Sequence, residues 1–242
     1  MATLHPFRAL RPVPEKAEEV ACVPYDVVNT SEALNLADGL PMSFLHIVRP
    51  EIDLPSSVGE YADEVYATGA SNLLEYARGE YSIQDEDPSL YVYRLIMNGR
   101  SQTGIFGCVS VEDYDNDVIL KHELTRPSKE DDRTRHIIEQ RAHAEPVMLT
   151  FPDDDGVKSI ITDTVSSRAV YDLVSSNGVQ HTLWRVEDPA ALVKCFAEIQ
   201  SLYVADGHHR CKAASRAAES LAGKEGISNE INFFPAVLFP MM

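Results

Sequence analysis

The sequence predicts a mixed α/β protein of the α+β type, and two local patterns carry this prediction. Residues 90–97 and 103–111 are apolar, strand-like runs joined by Asn98-Gly99, a dipeptide that favours a tight hairpin turn. Apolar residues recur with a helical period over residues 61–77, and Gly79 is placed to end that helix. Antiparallel strands and a long amphipathic helix therefore both belong to the fold.

Capping residues, turn residues and short apolar runs predict the other elements. In chain order they are a helix at 32–38, a strand at 43–48, a helix capped by Ser128 and running through 138, a strand at 146–151, a turn at 153–156, a strand at 182–186, a helix from Pro189 to about residue 200, a strand at 202–205 and a helix at 209–221.

The chain is long enough for two small domains, and we expect a division near residue 115. Residues 1–115 would form an N-terminal α+β unit, and residues 116–242 a second domain. The apolar run 233–242 predicts a buried strand. Because natural termini are usually polar, we also expect this domain to be truncated at its C-terminus.

The net charge of the chain narrows the classes of partner that it could bind. The net charge is −17, which opposes binding to nucleic acid and to anionic membranes, because both rely on Lys and Arg. The four cysteines are far apart and form no CxxC pair, so neither a zinc knuckle nor a disulfide framework is indicated. Residues 1–8 have too few apolar residues to predict a signal peptide, and no apolar run approaches ~18 residues. We expect a cytoplasmic protein.

The strongest candidate for chemistry is the loop Asp206-Gly207-His208-His209-Arg210, which joins a strand to a helix. The first N–H groups of a helix have no intrahelical acceptor, and the helix dipole makes them attractive to anions. Gly207 allows close approach of the backbone to a ligand, and Arg210 can bind a phosphate through two parallel hydrogen bonds. The two imidazoles add donors, and Asp206 could orient one of them or bind Mg²⁺. We predict a phosphate site here.

Two other interpretations of this loop were weighed. The first is a plain helix-capping turn with solvent-exposed histidines, but two histidines together with Asp and Arg are unusual for a cap. The second is a metal site that combines Asp206 with His208 or His209. Adjacent histidines rarely reach one ion, and no HExxH spacing occurs, so the phosphate site is favoured.

A second candidate is a charge-dense stretch that leads into the helix predicted at Ser128. Glu123 is a possible general base if burial raises its pKa, and Thr125, Lys129 and Arg133 are possible phosphate ligands. On spacing alone, a solvated helix with charges paired at i,i+4 is favoured. The polar side chains of this stretch are Lys121, His122, Glu123, Thr125, Lys129, Asp132 and Arg133.

A third candidate is the segment 23–28, in which Pro24 enforces extended backbone before Tyr25 and Asp26. Those two side chains could belong to a site at a strand end. The alternative is a structural turn before the helix at residue 32.

Taken together, these motifs resemble a bacterial and archaeal family known as domain of unknown function family one-thousand-fifteen. The resemblance extends from the N-terminus to the last residues, with Cys22-Val23 before Pro24 as one departure. Its members are longer than this chain. The matching segments are 23–27, 104–107, 121–125 with Lys129, Asp132 and Arg133, and 205–210.

That family is similar to the ParB/sulfiredoxin-like superfamily, which implies that residues 116–242 form such a domain and hold nucleotide phosphates at residues 206–210. The archaeal free-serine kinase also carries an Asp-Gly-His-His-Arg loop. This resemblance implies a small-molecule kinase acting on a serine-like hydroxyl, with Glu123 as base and with Mg²⁺ and ATP or ADP as cofactors.

Two other functions remain open beside the kinase. A nucleotide- or metabolite-binding regulatory module would bind at Arg210 without turnover, since a fold does not fix a function. A ParB-like nucleic-acid protein is the third, and the net charge of −17 opposes it.

Overall fold

The computed structural model describes residues 1–175 and 177–241, and it confirms the mixed α/β class. Residue 242, the last of the predicted C-terminal strand, lies outside the described residues. The strands are β1 Leu4–His5, β2 Leu10–Pro12, β3 Ser82–Gln84, β4 Tyr91–Met97, β5 Arg100–Ser110, β6 Ile119–Leu120, β7 Val147–Phe151, β8 Tyr171–Val174, β9 Gln180–Arg185, β10 Leu202–Asp206 and β11 Phe233–Pro240.

Short 3-10 helices cover Pro14–Lys16, Tyr25–Val27, Pro50–Asp53 and Asn229–Asn232. The α-helices are α1 Ala17–Val20, α2 Thr30–Ala37, α3 Leu45–Val48, α4 Asp63–Arg78, α5 Val111–Asp115, α6 Pro127–Gln140, α7 Asp155–Thr164, α8 Pro189–Phe196 and α9 His208–Leu221.

In the described part of the chain, nine strands form one mixed sheet in the order β6-β10-β7-β11-β5-β4-β9-β8, with β1 beside β5. Strands β6 and β10 are parallel, whereas β7 is antiparallel to β10. The ends of β6 and β10 and the start of β7 therefore share one edge of the sheet. This edge holds the candidate site.

The largest apolar core lies under this sheet and crosses the predicted boundary at residue 115. It includes Leu4 and Ile105 from the first segment together with Phe151, Leu202 and Phe234 from the second. Strand β11 lies between β7 and β5, so the two segments share one sheet as well as one core. Helices α4 and α6 also pack together across the boundary.

Several predicted elements are confirmed with small shifts of their ends. The hairpin β4–β5 turns at Asn98, whose φ is 52°, and at Gly99, whose φ is 77°. Helix α2 begins with a capping box in which Asn29 accepts a hydrogen bond from the N–H of Glu32. Helix α8 begins at Pro189, and Asp188 caps it.

Some predictions were wrong. Residues 43–48 are not a strand: Leu45–Val48 is a short helix whose apolar side chains are buried, so tertiary packing overrides β-propensity. Ser128 is not the cap of α6, because Pro127 holds the first turn and Arg126 is the N-cap residue.

The turn predicted at residues 153–156 is also wrong. The Asp154 side chain accepts a hydrogen bond from the N–H of Val157, and this cap starts helix α7 at Asp155.

Within the described residues, no helix is both long and apolar enough to cross a membrane.

Candidate functional site

The site forms where β6 and β10 end side by side. Tyr203 pairs with Leu120 in parallel register, so the chain leaves both strands in the same direction. Residues 121–126 follow β6, and the 206–210 loop follows β10. Two candidate segments that lie about eighty positions apart in sequence therefore become neighbours.

Gly207 makes the turn from β10 into α9. Its φ is +92°, in the left-handed region that favours glycine. A Cβ at this position would lie 3.1 Å from Val147 Cγ1, so a side chain would fit only if β7 shifted slightly.

An open groove of about 540 Å³ lies beside the first turn of α9. This volume falls in the range typical of small-molecule sites. The residues that line the groove are Tyr114, Asp115, Lys121, His122, Glu123, Leu124, Thr125, His208 and Lys212.

His208 forms the inner wall of the groove. Its side chain is 5% exposed, and its Nδ1 lies 3.5 Å from Glu123 Oε2. The ring of His122 packs edge-on against it, with 4.4 Å between ring centroids. Burial, aided by the neighbouring His122, lowers the pKa of His208. Its Nε2 is buried and has no hydrogen-bond partner among the described residues.

Lys212 was missed by the sequence reasoning. It follows His208 by one helical turn and lines the same groove. Its ammonium group forms no ion pair with another described residue, whereas Lys121 is 2.8 Å from Asp117 Oδ1. The i,i+4 spacing from His208 was the signal that could have identified it, because such residues share a helix face.

The two adjacent histidines point to different places. His208 is buried in the groove, whereas the Nδ1 of His209 accepts a 3.4 Å hydrogen bond from the backbone N–H of Arg126. His209 therefore ties α9 to the start of α6. This separation does not support the metal site considered for Asp206 and the histidines. The described residues also contain no group of three or more His, Cys, Asp or Glu side chains that could hold a metal ion.

Arg210 points away from the groove, toward the start of β7. Its side chain is 12% exposed, donates to the carbonyl of Pro146 and to Asp206 Oδ2, and lies 3.9 Å from Asp26 Oδ2. Binding a phosphate through two hydrogen bonds would require Arg210 to give up some of these contacts. The structure thus places Asp26 and Arg210 together in an ion-pair cluster.

Mg²⁺ could be held here only together with a ligand. Asp206, the last residue of β10, carries an exposed carboxylate, and its side chain is 62% exposed. Mg²⁺ is commonly held by one or two carboxylates and the oxygens of a bound phosphate. Asp206 would be the one protein ligand, but its Oδ2 is already paired with Arg210 and it is not among the residues that line the groove.

A buried network, and not an open site, contains Tyr25, Asp132 and Arg133. The Arg133 guanidinium lies over the Tyr25 ring at 4.0 Å, and its Nε donates to Asp132 Oδ2 at 2.9 Å. Glu145 Oε2 lies 3.5 Å from Arg133 Nη1. Burial opposes the charge on Arg133, but the carboxylates of Asp132 and Glu145 outweigh it and raise the pKa.

This network corrects the interpretation favoured by spacing, which was a solvated charged helix. The inner face of α6 is buried at Asp132, Arg133 and His136. The remaining two candidates lie nearer to solvent: the hydroxyl of Thr125 donates to Glu130, and Lys129 is partly buried in the first turn of α6.

The fold and site define a mixed α/β protein with a polar groove at the N-terminus of a buried helix. The family model described as "Protein of unknown function (DUF1015)" matches residues 4–242, and the chain belongs to this family. No curated protein and no solved structure matches it.

Proposed function

We propose that this protein binds a phosphate-bearing small molecule, a nucleotide, in the groove between residues 121–125 and the first turn of α9. The observation that supports this most directly is the parallel pairing of β6 with β10. That pairing brings a candidate base, two histidines and a lysine to the end of a helix whose first N–H groups have no acceptor.

The groove suits an anion despite the net charge of −17. The helix dipole contributes partial positive charge at the first turn of α9, and Lys212 adds a full charge one turn further on. His122 and His208 supply neutral or charged donors. Glu123 and Asp115 oppose an anion at their own positions, and they contact α9 at His208 and Ser215. We therefore place the phosphate nearest Lys212 and the first N–H groups of α9.

Thermal denaturation with ATP, ADP or CTP, each with Mg²⁺, tests this proposal. We expect at least one nucleotide to raise the melting temperature, since a ligand at ~100 times its Kd stabilises by about 2.7 kcal/mol. Lys212→Ala should lose most of this shift. Lys194→Ala is the matched control, because Lys194 is an exposed helical lysine on α8, away from the groove.

The proposal fails if no nucleotide shifts the native chain. It also fails if Lys212→Ala and Lys194→Ala respond equally to the nucleotide, because binding would then lie elsewhere on the surface.

We further propose that the bound nucleotide is a phosphoryl donor to a small serine-like hydroxyl. Glu123 would take the hydroxyl proton as the oxygen attacks the terminal phosphorus and the bond to the leaving nucleotide breaks. Mg²⁺ at Asp206 would neutralise phosphate charge when bound. Glu123 suits this role because it reaches into the groove and contacts His208 at 3.5 Å. This step would make the chain a kinase related to the ParB/sulfiredoxin-like superfamily.

Replacing Glu123 with Gln separates chemistry from binding. The amide keeps the size of the side chain but cannot accept the proton. We expect turnover of ATP with a panel of hydroxyl acceptors to fall by about 10²–10⁴-fold. The nucleotide-dependent thermal shift should persist. Unchanged turnover would exclude Glu123 as the base.

One observation favours the non-catalytic alternative, a nucleotide-binding regulatory module. The Glu123 side chain is 61% exposed, so a bound substrate would have to exclude water from it before it could act as a base. A nucleotide-dependent thermal shift without turnover in native protein would support this alternative. In either case we propose a cytoplasmic protein whose partners are small molecules and not nucleic acid.

A further inference from the structure

The Glu123 carboxylate has a single polar partner among the described residues, and that partner is His208. The distance from Glu123 Oε2 to His208 Nδ1 is 3.5 Å. The nearby cation of Lys121 is engaged elsewhere: its ammonium group lies 2.8 Å from Asp117 Oδ1 and donates to the carbonyl of Tyr114 at 2.9 Å. The orientation of this carboxylate therefore depends on one imidazole nitrogen.

The segment that carries Glu123 is fixed at both ends but not at Glu123 itself. Lys121 holds one end through the contacts just described. At the other end, the backbone N–H of Arg126 donates to His209 Nδ1 at 3.4 Å. Glu123 lies between them, outside any helix or strand, and its side chain is 61% exposed. A long side chain in such a position samples several rotamers, so a contact from outside the segment is needed to orient it.

His208, by contrast, is held in place by its surroundings. It is the first residue of α9, its side chain is 5% exposed, and the ring of His122 packs edge-on against it. Helix α9 is itself anchored, because Cys211 and Ala214 belong to the largest apolar core. A side chain that is buried on a packed helix keeps one orientation. The imidazole is therefore a fixed point that can orient the exposed carboxylate.

The chemistry of this contact assigns the proton of the His208 ring to Nδ1. Burial lowers the pKa of His208, so the ring is neutral at neutral pH and carries one N–H and one acceptor nitrogen. An ionised carboxylate only accepts hydrogen bonds, and no described residue offers an acceptor to the buried Nε2. The Nδ1–H tautomer therefore leaves no ring N–H buried without an acceptor.

We propose that His208 is a positioning residue, whose Nδ1–H orients the Glu123 carboxylate toward the substrate hydroxyl. This inference rests on the proposed phosphoryl transfer. His208 touches no reacting atom and acts through Glu123. Catalytic hydrogen bonds are often long before substrate binds and shorten in the complex, which fits the separation of 3.5 Å. Loss of the Nδ1–H group should therefore lower the rate of turnover and leave nucleotide binding intact.

Turnover of ATP with a panel of hydroxyl acceptors tests this role in the whole chain. His208→Phe keeps an aromatic ring but removes the donor. We expect kcat to fall by up to about 10²-fold, with the KM for ATP and the nucleotide-dependent thermal shift unchanged. His208→Asn should recover part of the lost kcat, because the amide nitrogen of Asn is as many bonds from the backbone as Nδ1 of His.

His181→Phe is the matched control and should leave turnover unchanged. His181 lies on β9, and its nitrogens are 2.7 Å from the Tyr93 hydroxyl and 3.1 Å from Ser175 Oγ. The proposal is overturned if kcat is the same in the native chain and in His208→Phe. It is also overturned if His208→Asn loses as much kcat as His208→Phe.

The ¹⁵N chemical shifts of the His208 ring provide a test that needs no turnover, because they report which nitrogen carries the proton. We expect the Nδ1–H tautomer in the native chain. In Glu123→Ala the ring should shift toward Nε2–H, the form that free histidine favours. An Nε2–H ring in the native chain, or the same tautomer in both proteins, would overturn the proposal. A native chain without turnover would instead overturn the proposed phosphoryl transfer, and the positioning role with it.

Discussion

Arg133 illustrates what single residues can and cannot reveal. In the sequence it is one cation in a charged stretch, a possible phosphate ligand but, on spacing, favoured as part of a solvated helix face. In the structure it is 8% exposed, stacked on Tyr25 and paired with Asp132 and Glu145. Residue type and spacing do not encode burial, so a structural ion and a ligand-binding ion look alike until the neighbours are known.

His46 is a residue whose charge should stabilise the fold in a pH-dependent way. Its hydrogen bond to Asp53, 2.7 Å from Nδ1 to Oδ1, raises its pKa despite partial burial. Its Nε2 also lies 3.2 Å from the Leu40 carbonyl, an acceptor that requires a second N–H. The protonated ring therefore joins α3 to the Pro50–Asp53 helix and the end of α2.

Replacing His46 with Gln should cost about 0.5–1 kcal/mol, and only at acidic to neutral pH. A raised folded pKa gives stability that is complete below the unfolded value of 6.5 and is lost as pH rises through the folded pKa. Urea unfolding at several pH values measures this difference. In an Asp53→Asn background, the pH dependence of this stability difference should vanish. A difference between the native chain and His46→Gln that persists unchanged at alkaline pH would contradict the prediction.

At the scale of elements, the turn from β10 into α9 depends on Gly207. Gly207→Ala should destabilise by about 1–3 kcal/mol, because it combines a left-handed φ with a Cβ 3.1 Å from Val147. It should also reduce the nucleotide-dependent thermal shift, since the first N–H groups of α9 would move.

Gly223→Ala is the matched control for this prediction. Gly223 follows the other end of α9, has a φ of +70°, and has no neighbour within 4 Å of an added Cβ. It should show only the cost of backbone strain and leave any nucleotide response intact. If the two variants behave alike in both measurements, Gly207 has no special role in the site.

Elements with strong local signals could be predicted, and elements held by tertiary contacts could not. The β4–β5 hairpin has its Asn98-Gly99 turn, and α2 has its capping box. Helix α3 has neither: its side chains at Leu45, Ile47 and Val48 are buried, and β-branched residues alone suggested a strand.

At the scale of the whole molecule, β5 and β11 hold the sheet together. A Cβ on Gly104 would collide with the carbonyl oxygen of Leu238 and lie 2.8 Å from Phe239 Cδ1. We expect Gly104→Ala to destabilise by at least about 2 kcal/mol in chemical denaturation. Gly59→Ala, with open space around its Cβ, should be near neutral. A Gly104→Ala variant as stable as the native chain would contradict this role.

Contacts between distant parts of the chain explain why the site could be predicted only in part. The 206–210 loop could be recognised from its residues, because a strand, a glycine and a helix follow each other locally. Its partnership with residues 121–125 depends on the pairing of β6 with β10, a contact between distant parts of the chain. The i,i+4 spacing from His208 could have pointed to Lys212, but the groove that it lines exists only through that pairing.

The most direct measurement of the central claim is an NMR titration of the ¹⁵N-labelled chain with ADP and Mg²⁺. We expect the largest amide shifts on residues 207–210 and 121–125, with smaller changes on Lys212 and its neighbours. Saturable shifts confined to another surface, or no shifts at concentrations that saturate typical nucleotide sites, would contradict it.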